Sequence, residues 1–188
     1  GVHATGFAMA RDHIAKPGML EEVATEGVAR MLQRQIADNE QALADQQRGE
    51  PTQAFRDVVD AIIAGGGMVG GLGERFTRVA AAHAFHNGLT VAPGTHSVLH
   101  GTKVAFGILV QSALLGQNAI IDQLIPLFRQ LRLPVTLAEL NVDIHDQAQL
   151  DSIIAHTLRP QESIHFLPVT LTPATLQAAL ELLEAKSR

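Results

Sequence analysis

Four of the nine histidines fall within one stretch, "AAAHAFHNGLTVAPGTHSVLHGTKVAFG", residues 80–107. His83 and His86 are three positions apart, and His96 and His100 are four apart, so each pair shares a face if its segment is helical. Neutral imidazole nitrogens bind zinc and ferrous iron at about 2.0–2.1 Å. A helix–loop–helix that folds back on itself would bring the two pairs together as a candidate metal site.

The spacing alone leaves a structural interpretation open. Histidines on helices also cap helix ends, bond to carbonyl groups or stand in solvent. A catalytic metal site would need two or three protein ligands and one open position for an alcohol or carbonyl oxygen. Both interpretations therefore stand until further residues are considered.

A second stretch, "AGGGMVGGLG" at residues 64–73, contains Gly65, Gly67 and Gly70 at the G-x-G-x-x-G spacing. A dinucleotide-binding turn needs a strand before these glycines, a helix after them and an acidic residue about 20 positions further on. The preceding segment, residues 52–64, has its charges on one helical face, and no carboxylate lies near Thr90. We interpret the glycines instead as places where helices approach closely or where one helix bends.

The elements that must position these residues are predicted to be helices, because no stretch alternates between apolar and polar residues with period two. The predicted fold is all-α, with about eight helices by the periodicity argument. Thr95 is the predicted cap of the segment after the histidine loop, and Thr172 with Pro173 is predicted to open the last helix. Helices are predicted over residues 19–47, 52–64, 75–86, 97–115, 118–132, 133–140, 146–158 and 172–187.

Composition removes several functional classes. The 188 residues include no cysteine, which excludes disulfides, thiolate metal sites and cysteine nucleophiles. Lys and Arg number 14 against 19 Asp and Glu, a net charge of −5, and no basic block is present, so no nucleic-acid partner is expected. Apolar runs are far shorter than the roughly 20 residues of a membrane helix, and no secretion signal is visible. We expect a cytoplasmic protein with no membrane partner.

The segment "AAAHAFHNGLT…LHGTKVAFGILVQ" resembles the iron-containing alcohol dehydrogenase family, in its glycerol-dehydrogenase-like branch. The family signature is H-A-x-H-N-G-L-T followed by H-G-x-K-V-A-[FY]-G, and the resemblance covers residues 40–180. It implies the dehydroquinate-synthase-like fold, in which an α/β domain binds the dinucleotide and a helical C-terminal domain carries the metal. Residues 1–188 are then expected to be a single helical metal- and substrate-binding domain, without the N-terminal nucleotide-binding domain.

The resemblance also implies roles for individual residues. The family binds its metal, zinc or ferrous iron, through one Asp and two His, and the histidines correspond to His83 and His100. The Asp belongs to a G-D-[AT]-L motif that this sequence lacks, so we expect weak or no metal binding by this chain. His86 is the candidate catalytic residue, as a proton relay or substrate contact, or else it orients a ligand. Lys103 is interpreted as a helix-surface charge or as a partner for a substrate carboxylate, and no cofactor-binding residue is assigned.

The activity implied by the resemblance is NAD(P)H-dependent reduction of small 2-oxo carboxylic acids to 2-hydroxy acids. A glycerol or diol dehydrogenase is the alternative within the family, with an alcohol as substrate. A non-catalytic helical fragment or interaction module is the alternative from another class. We expect the full-length protein to be active and this chain alone to be inactive. A homo-oligomer is also expected, because an isolated helical domain would expose apolar surface.

Overall fold

A computed structural model describes residues 38–72 and 80–188. Every regular element in these two ranges is helical, which confirms the prediction of an all-α fold. The chain divides into two compact units, residues 1–78 and 79–188. That residues 1–188 act as a single helical metal- and substrate-binding domain stays a prediction. The helices are α1 (38–48), α2 (Gln53–Asp60), α3 (Gly66–Leu72), α4 (Ala81–Leu89), α5 (His100–Leu114), α6 (Asn118–Gln130), α7 (Gln147–Thr157) and α8 (Pro173–Lys186).

In the first unit, the buried carboxylate of Asp45 joins the end of α1 to the start of α2. It accepts hydrogen bonds from Thr52 Oγ1, from Gln41 Nε2 at 2.7 Å and from Arg48 Nη2 at 2.7 Å. The Thr52 hydroxyl contributes most to holding the pKa of Asp45 below its usual range, against the opposing effect of burial. Gly49, at φ +70°, allows the tight turn between the two helices.

The glycine-rich stretch is helical. Helix α2 continues through a π-helical turn, Ala61–Gly65, directly into α3. The helix predicted to end at residue 64 therefore runs on to Leu72, and the residues before the glycines do not form the strand that a phosphate-binding turn requires. A Cβ built at Gly66, Gly67 or Gly71 would meet no heavy atom of the described chain within 4 Å beyond its chain neighbours and the adjacent backbone of its own helix. Close helix approach is therefore not seen at these three positions.

In the second unit, α4 packs against α5 and α7, and α8 packs against α5 and α7. Phe85 and Leu89 of α4 are fully buried with Phe106 and Leu109 of α5, because the apolar residues of both helices face the same core. Along α4 only His83, His86 and Asn87 are half-buried, and the remaining residues of that helix are buried. The polar residues of α4 are therefore confined to one edge of a buried helix.

Two glycines outside the glycine-rich stretch allow α4 to approach its neighbours. A Cβ built at Gly107 of α5 would lie 2.9 Å from Cα of Ala82, and one built at Gly88 would lie 2.8 Å from the carbonyl oxygen of Ile153 in α7. Real side chains do not tolerate such contacts with backbone atoms. The crossing of α4 with α5 therefore requires glycine at 107, next to the residue that precedes His83.

Of the two helix caps predicted from the sequence, one is confirmed and one is wrong. Thr172 and Pro173 open α8 with a capping box completed by Thr175, as predicted. Thr95 is not the cap of α5: it lies in a 3₁₀ turn, and its buried hydroxyl donates to the carbonyls of Leu89 at 2.6 Å and Ala92 at 2.9 Å.

Three further predictions concern helix length. Helix α5 begins at His100 rather than at residue 97, and of the helix predicted over 133–140 only the 3₁₀ turn Ala138–Leu140 forms. The predicted helices over 19–47 and 75–86 lie partly outside the described residues. In the ranges the structure describes, no helix combines the length and apolar character needed to cross a bilayer.

Candidate metal and histidine site

The first turn of α4 is anchored by polar side chains from two other elements. The amide of Ala82 donates to Gln111 Oε1 of α5 at 3.3 Å, and the Ser163 hydroxyl donates to the carbonyl of Ala80 at 2.9 Å. Ala80 occupies the N-cap position, and its methyl side chain has no acceptor that could cap the helix. Gln111 takes over that capping role, which fixes the turn that carries His83.

Three of the predicted site residues come together at the edge of α4 and the start of α5. The ring centroids of His83 and His100 are 5.6 Å apart, with an angle of 50° between the ring planes. The His86 and His100 rings are 4.3 Å apart and meet edge to face, with His86 Nε2 3.1 Å from His100 Nδ1. His83 and His86 are half-buried and His100 is exposed, so the cluster opens on one side to solvent.

The separation of His83 and His100 suits two ligands of one metal ion. Imidazoles that bind one tetrahedral ion at about 2.0–2.1 Å must have ring centroids about 5 Å apart. His86 is closer to His100 and is joined to it by a hydrogen bond. No group of three or more His, Asp or Glu side chains within 38–72 and 80–188 is arranged to hold a metal. Among the described residues, only the ring separation of His83 and His100 is compatible with a shared ion, and two imidazoles alone do not complete a metal site.

The pKa values of His83 and His86 are both lowered from the ordinary value of histidine. Burial lowers the pKa of His83, and the neighbouring charges of His100 and His86 lower it further. Burial also lowers the pKa of His86, and the charges of His100 and Lys103 add to that effect. The hydrogen bond between His86 Nδ1 and Asn87 Oδ1 opposes it by raising the pKa. Neutral imidazole is the form that binds a metal ion, so these shifts favour metal binding near pH 7.

The other predicted polar residues do not join the cluster. His96 precedes α5 and its Nε2 lies 3.0 Å from the carbonyl oxygen of Thr90, so the predicted helical pairing of His96 with His100 does not form. Lys103 is only 7% exposed and its ammonium donates to the carbonyl of Thr95 at 3.3 Å. The interpretation of Lys103 as a helix-surface charge is therefore wrong, because the side chain is buried against the histidine loop.

Two polar residues of the site are not predicted by the sequence. Asn87 Oδ1 lies 3.1 Å from His86 Nδ1, and Asn87 Nδ2 donates to Glu162 Oε2 at 2.9 Å. In the sequence, Asn87 followed by Gly88 indicates only the end of a helix. Glu162 lies 75 positions along the chain from Asn87, so no local pattern connects the two.

Comparison with known proteins supports the resemblance found in the sequence. The chain is 69% identical over 150 residues to hydroxycarboxylate dehydrogenase A of Escherichia coli strain K12, an alignment that covers 80% of this chain and 41% of that protein. It is 33% identical over 148 residues to the glycerol dehydrogenase of Citrobacter freundii, covering 77% of this chain and 39% of that enzyme. A crystal structure of a probable glycerol dehydrogenase from Sinorhizobium meliloti 1021 superposes with a TM-score of 0.82 at 29% identity, covering 98% of this chain and 51% of that one.

The chain belongs to the glycerol-dehydrogenase-like branch of the iron-containing alcohol dehydrogenases. No family model matches it. The chain spans about two fifths of the length of the curated relatives that it matches. The helices described above correspond to the helical C-terminal domain of that family's fold, as the sequence predicts.

Proposed function

We propose that this chain forms the metal- and substrate-binding part of an NAD(P)H-dependent oxidoreductase that reduces small 2-oxo carboxylic acids to 2-hydroxy acids. The observation that carries the proposal is the 5.6 Å separation of His83 and His100, which suits two imidazole ligands of one ion. The 69% identity to a hydroxycarboxylate dehydrogenase favours that substrate class. The nicotinamide site is assigned to no residue of this chain.

His83 and His100 would hold zinc or ferrous iron in this proposal. The ion, when bound, supplies Lewis-acid polarisation of the substrate carbonyl. Nδ1 of His100 is already engaged with His86 Nε2, so Nε2 of His100 is the nitrogen available for a metal. The lowered pKa of His83 favours the unprotonated ring near neutral pH, which reduces competition between a proton and the metal ion.

His86 would act in the proton half of the reaction. Hydride transfer from the nicotinamide to the carbonyl carbon leaves negative charge on the oxygen, which then takes up one proton. His86 lies between His100 and the hydrogen-bonded Asn87, and its lowered pKa favours releasing a proton rather than keeping it. His86 would relay that proton or orient His100, and a relay would require one of its two hydrogen bonds to break. The two roles can be separated by pH profiles of kcat.

A glycerol or diol dehydrogenase is the second candidate. The Citrobacter freundii relative is a glycerol dehydrogenase, and the Sinorhizobium meliloti protein of known structure is a probable glycerol dehydrogenase. The same histidines would serve an alcohol oxidation, because reduction and oxidation share one transition state. Only the substrate contacts would differ between the two candidates.

Substrate assays on the full-length protein that contains this chain test the proposal. We expect NADH or NADPH consumption with 2-oxobutanoate to exceed glycerol-dependent NAD(P) reduction. We also expect His83→Ala and His100→Ala to lower kcat/KM by roughly 100-fold, because each substitution removes a metal ligand. His96→Ala is the control, since this histidine lies outside the cluster. The isolated 188-residue chain is expected to show no turnover.

Several outcomes would count against the proposal. Turnover by the isolated chain would refute the need for a separate nucleotide-binding part. Full activity in His83→Ala would refute the metal role. Absence of any dehydrogenase activity in the full-length protein would instead favour the non-catalytic interaction module.

A further inference from the structure

A line of hydrogen bonds runs from Glu162 through Asn87 and His86 to His100. Glu162 Oε2 accepts from Asn87 Nδ2 at 2.9 Å, Asn87 Oδ1 lies 3.1 Å from His86 Nδ1, and His86 Nε2 lies 3.1 Å from His100 Nδ1. Three elements contribute to it: α4, the first residue of α5, and the loop before the 3₁₀ turn Ser163–Phe166. The line ends at a proposed metal ligand.

Glu162 sets the direction of these bonds. An ionised carboxylate can only accept hydrogen bonds, so the amide nitrogen of Asn87 must face it. The opposite amide orientation would place two acceptor oxygens 2.9 Å apart. Asn87 Oδ1 therefore faces His86, and because that oxygen can only accept, His86 must carry a proton on Nδ1.

The position of the proton on His86 determines the position of the proton on His100. A neutral imidazole has one N–H, so His86 with its proton on Nδ1 presents a lone pair at Nε2. His100 must then donate to it from Nδ1, which leaves the lone pair of His100 on Nε2. This arrangement is opposite to the one that free histidine prefers, in which Nε2 carries the proton.

The partners are held in place by their surroundings. The amide of Glu162 donates to the carbonyl of Arg159 at 3.0 Å, and the Ser163 hydroxyl beside it bonds to Ala80 at the start of α4. Gly88, the residue after Asn87, is pressed against α7. Both ends of the Asn87–Glu162 bond are therefore built on packed backbone.

We propose that Asn87 and Glu162 are positioning residues that set the tautomers of His86 and His100, so that Nε2 of His100 presents its lone pair for a metal ion. The metal part rests on the proposed function, whereas the tautomer part does not. Asn87 holds the proton of His86 at Nδ1, and Glu162 holds Asn87 in the orientation that does so.

The test reads the tautomers directly, by long-range ¹H–¹⁵N correlation spectra of the metal-free, full-length protein with ¹⁵N-labelled histidine. Spectra are taken at about pH 8, above the ordinary pKa of histidine, and the signals are assigned with His86→Gln and His100→Gln. We expect both rings as the Nδ1–H form. In Asn87→Leu, which keeps the volume and removes the amide, we expect both rings to change to the Nε2–H form.

Glu162 supplies a matched pair of variants. Glu162→Gln keeps an acceptor oxygen for Asn87 but adds an amide donor that also allows the reversed Asn87 orientation, so it is expected to retain the Nδ1–H forms in part. Glu162→Leu offers no hydrogen bond and is expected to lose them. The pair also covers the case in which Asn87→Leu does not fold. Wild-type rings in the Nε2–H form, or tautomers unchanged in Asn87→Leu and Glu162→Leu, would overturn the proposal.

Zinc affinity, measured by competition with a chelator, separates this inference from the proposed function. We expect Asn87→Leu to weaken zinc binding by about 10- to 100-fold and Glu162→Gln to weaken it less. If the tautomers are as expected but the wild-type protein binds no zinc, the metal role fails and the tautomer assignment stands. If zinc binds equally well to wild type and Asn87→Leu, the part of the inference that concerns His100 is refuted.

Discussion

Two sets of glycines in this chain have opposite surroundings. Gly66, Gly67 and Gly71 belong to the stretch that contains a nucleotide-binding spacing. Apart from their chain neighbours and the adjacent backbone of their own helix, no described atom lies within 4 Å of the Cβ they lack. Gly88 and Gly107 belong to no such spacing, yet each lies against the backbone of a neighbouring helix. A motif match therefore says little about where glycine is required, and the packing around each Cβ position says much more.

The difference matters for function because the packed glycines lie next to the histidine cluster. Gly107 allows α5 to lie against Ala82, one residue before His83, and Gly88 follows Asn87 directly. The geometry of the cluster thus depends on two positions without any reactive group. In contrast, Ile62, Ile63 and Met68 on the glycine-rich helix are exposed in the described structure.

The largest effect that this comparison predicts is for Gly107→Ala. The added methyl group meets the backbone of Ala82, which cannot move aside as a side chain can, so we expect a loss of about 1–3 kcal/mol in the free energy of unfolding. In the full-length protein, the shift between α4 and α5 should also weaken zinc binding, because His83 and His100 move apart. Urea unfolding and chelator competition measure the two effects.

Gly101→Ala is the control on the same helix, since a Cβ at that position meets nothing within 4 Å in the described residues. We expect this variant to be as stable as wild type or slightly more stable. Equal destabilisation by both substitutions would show that general helix effects, and not the contact with Ala82, explain the result.

Sequence reasoning anticipates the parts of the molecule that depend on local pattern. The start of α8 follows from Thr172 and Pro173, because a capping residue followed by proline is a local signal. The approach of His83 and His100 follows from the family motif and the helix–loop–helix pattern, and the structure brings the rings together. Their roles as metal ligands remain a prediction.

What sequence reasoning misses depends on contacts between distant parts of the chain. The bond between Asn87 and Glu162 spans 75 positions, and the bond from Ala82 to Gln111 spans 29. The prediction for Thr95 is wrong because a threonine before a helical segment looks like a cap, whereas here burial turns its hydroxyl back to the carbonyl groups of its own loop. Such choices are made by tertiary packing, which periodicity does not report.

A smaller effect of opposite sign is predicted for Gly67→Ala. Alanine is favoured over glycine inside a helix by up to about 1 kcal/mol, and no described atom opposes the added methyl group. We expect a small gain in the free energy of unfolding and an unchanged KM for the nicotinamide cofactor in the full-length protein. A loss of stability, or a raised KM, would mean that a part of the protein outside the described residues packs against this helix.

The smallest predicted effect concerns stability at acid pH. The histidine cluster and the region around Asp45 should lose stability in different pH ranges. The folded-state pKa values of His83 and His86 are lowered, so below their ordinary value of 6.5 the unfolded chain binds protons more readily than the folded chain does. The contribution of these two histidines to the free energy of unfolding is therefore fully present above about pH 6.5, and it decreases as the pH drops below that value. Asp45 also has a lowered pKa, but its contribution is complete above 3.8 and falls only at lower pH.

Unfolding of the metal-free protein, followed across this pH range, should thus show two separate losses. The upper one should be reduced in His83→Leu and retained in His145→Gln, since His145 is exposed and distant in sequence from the cluster. The lower one should be reduced in Asp45→Asn. If the loss of stability below about pH 6.5 persists in both His83→Leu and His86→Leu, the half-buried histidines do not control it. The neutral imidazole that a metal ion requires would then have to arise from contacts outside the described residues.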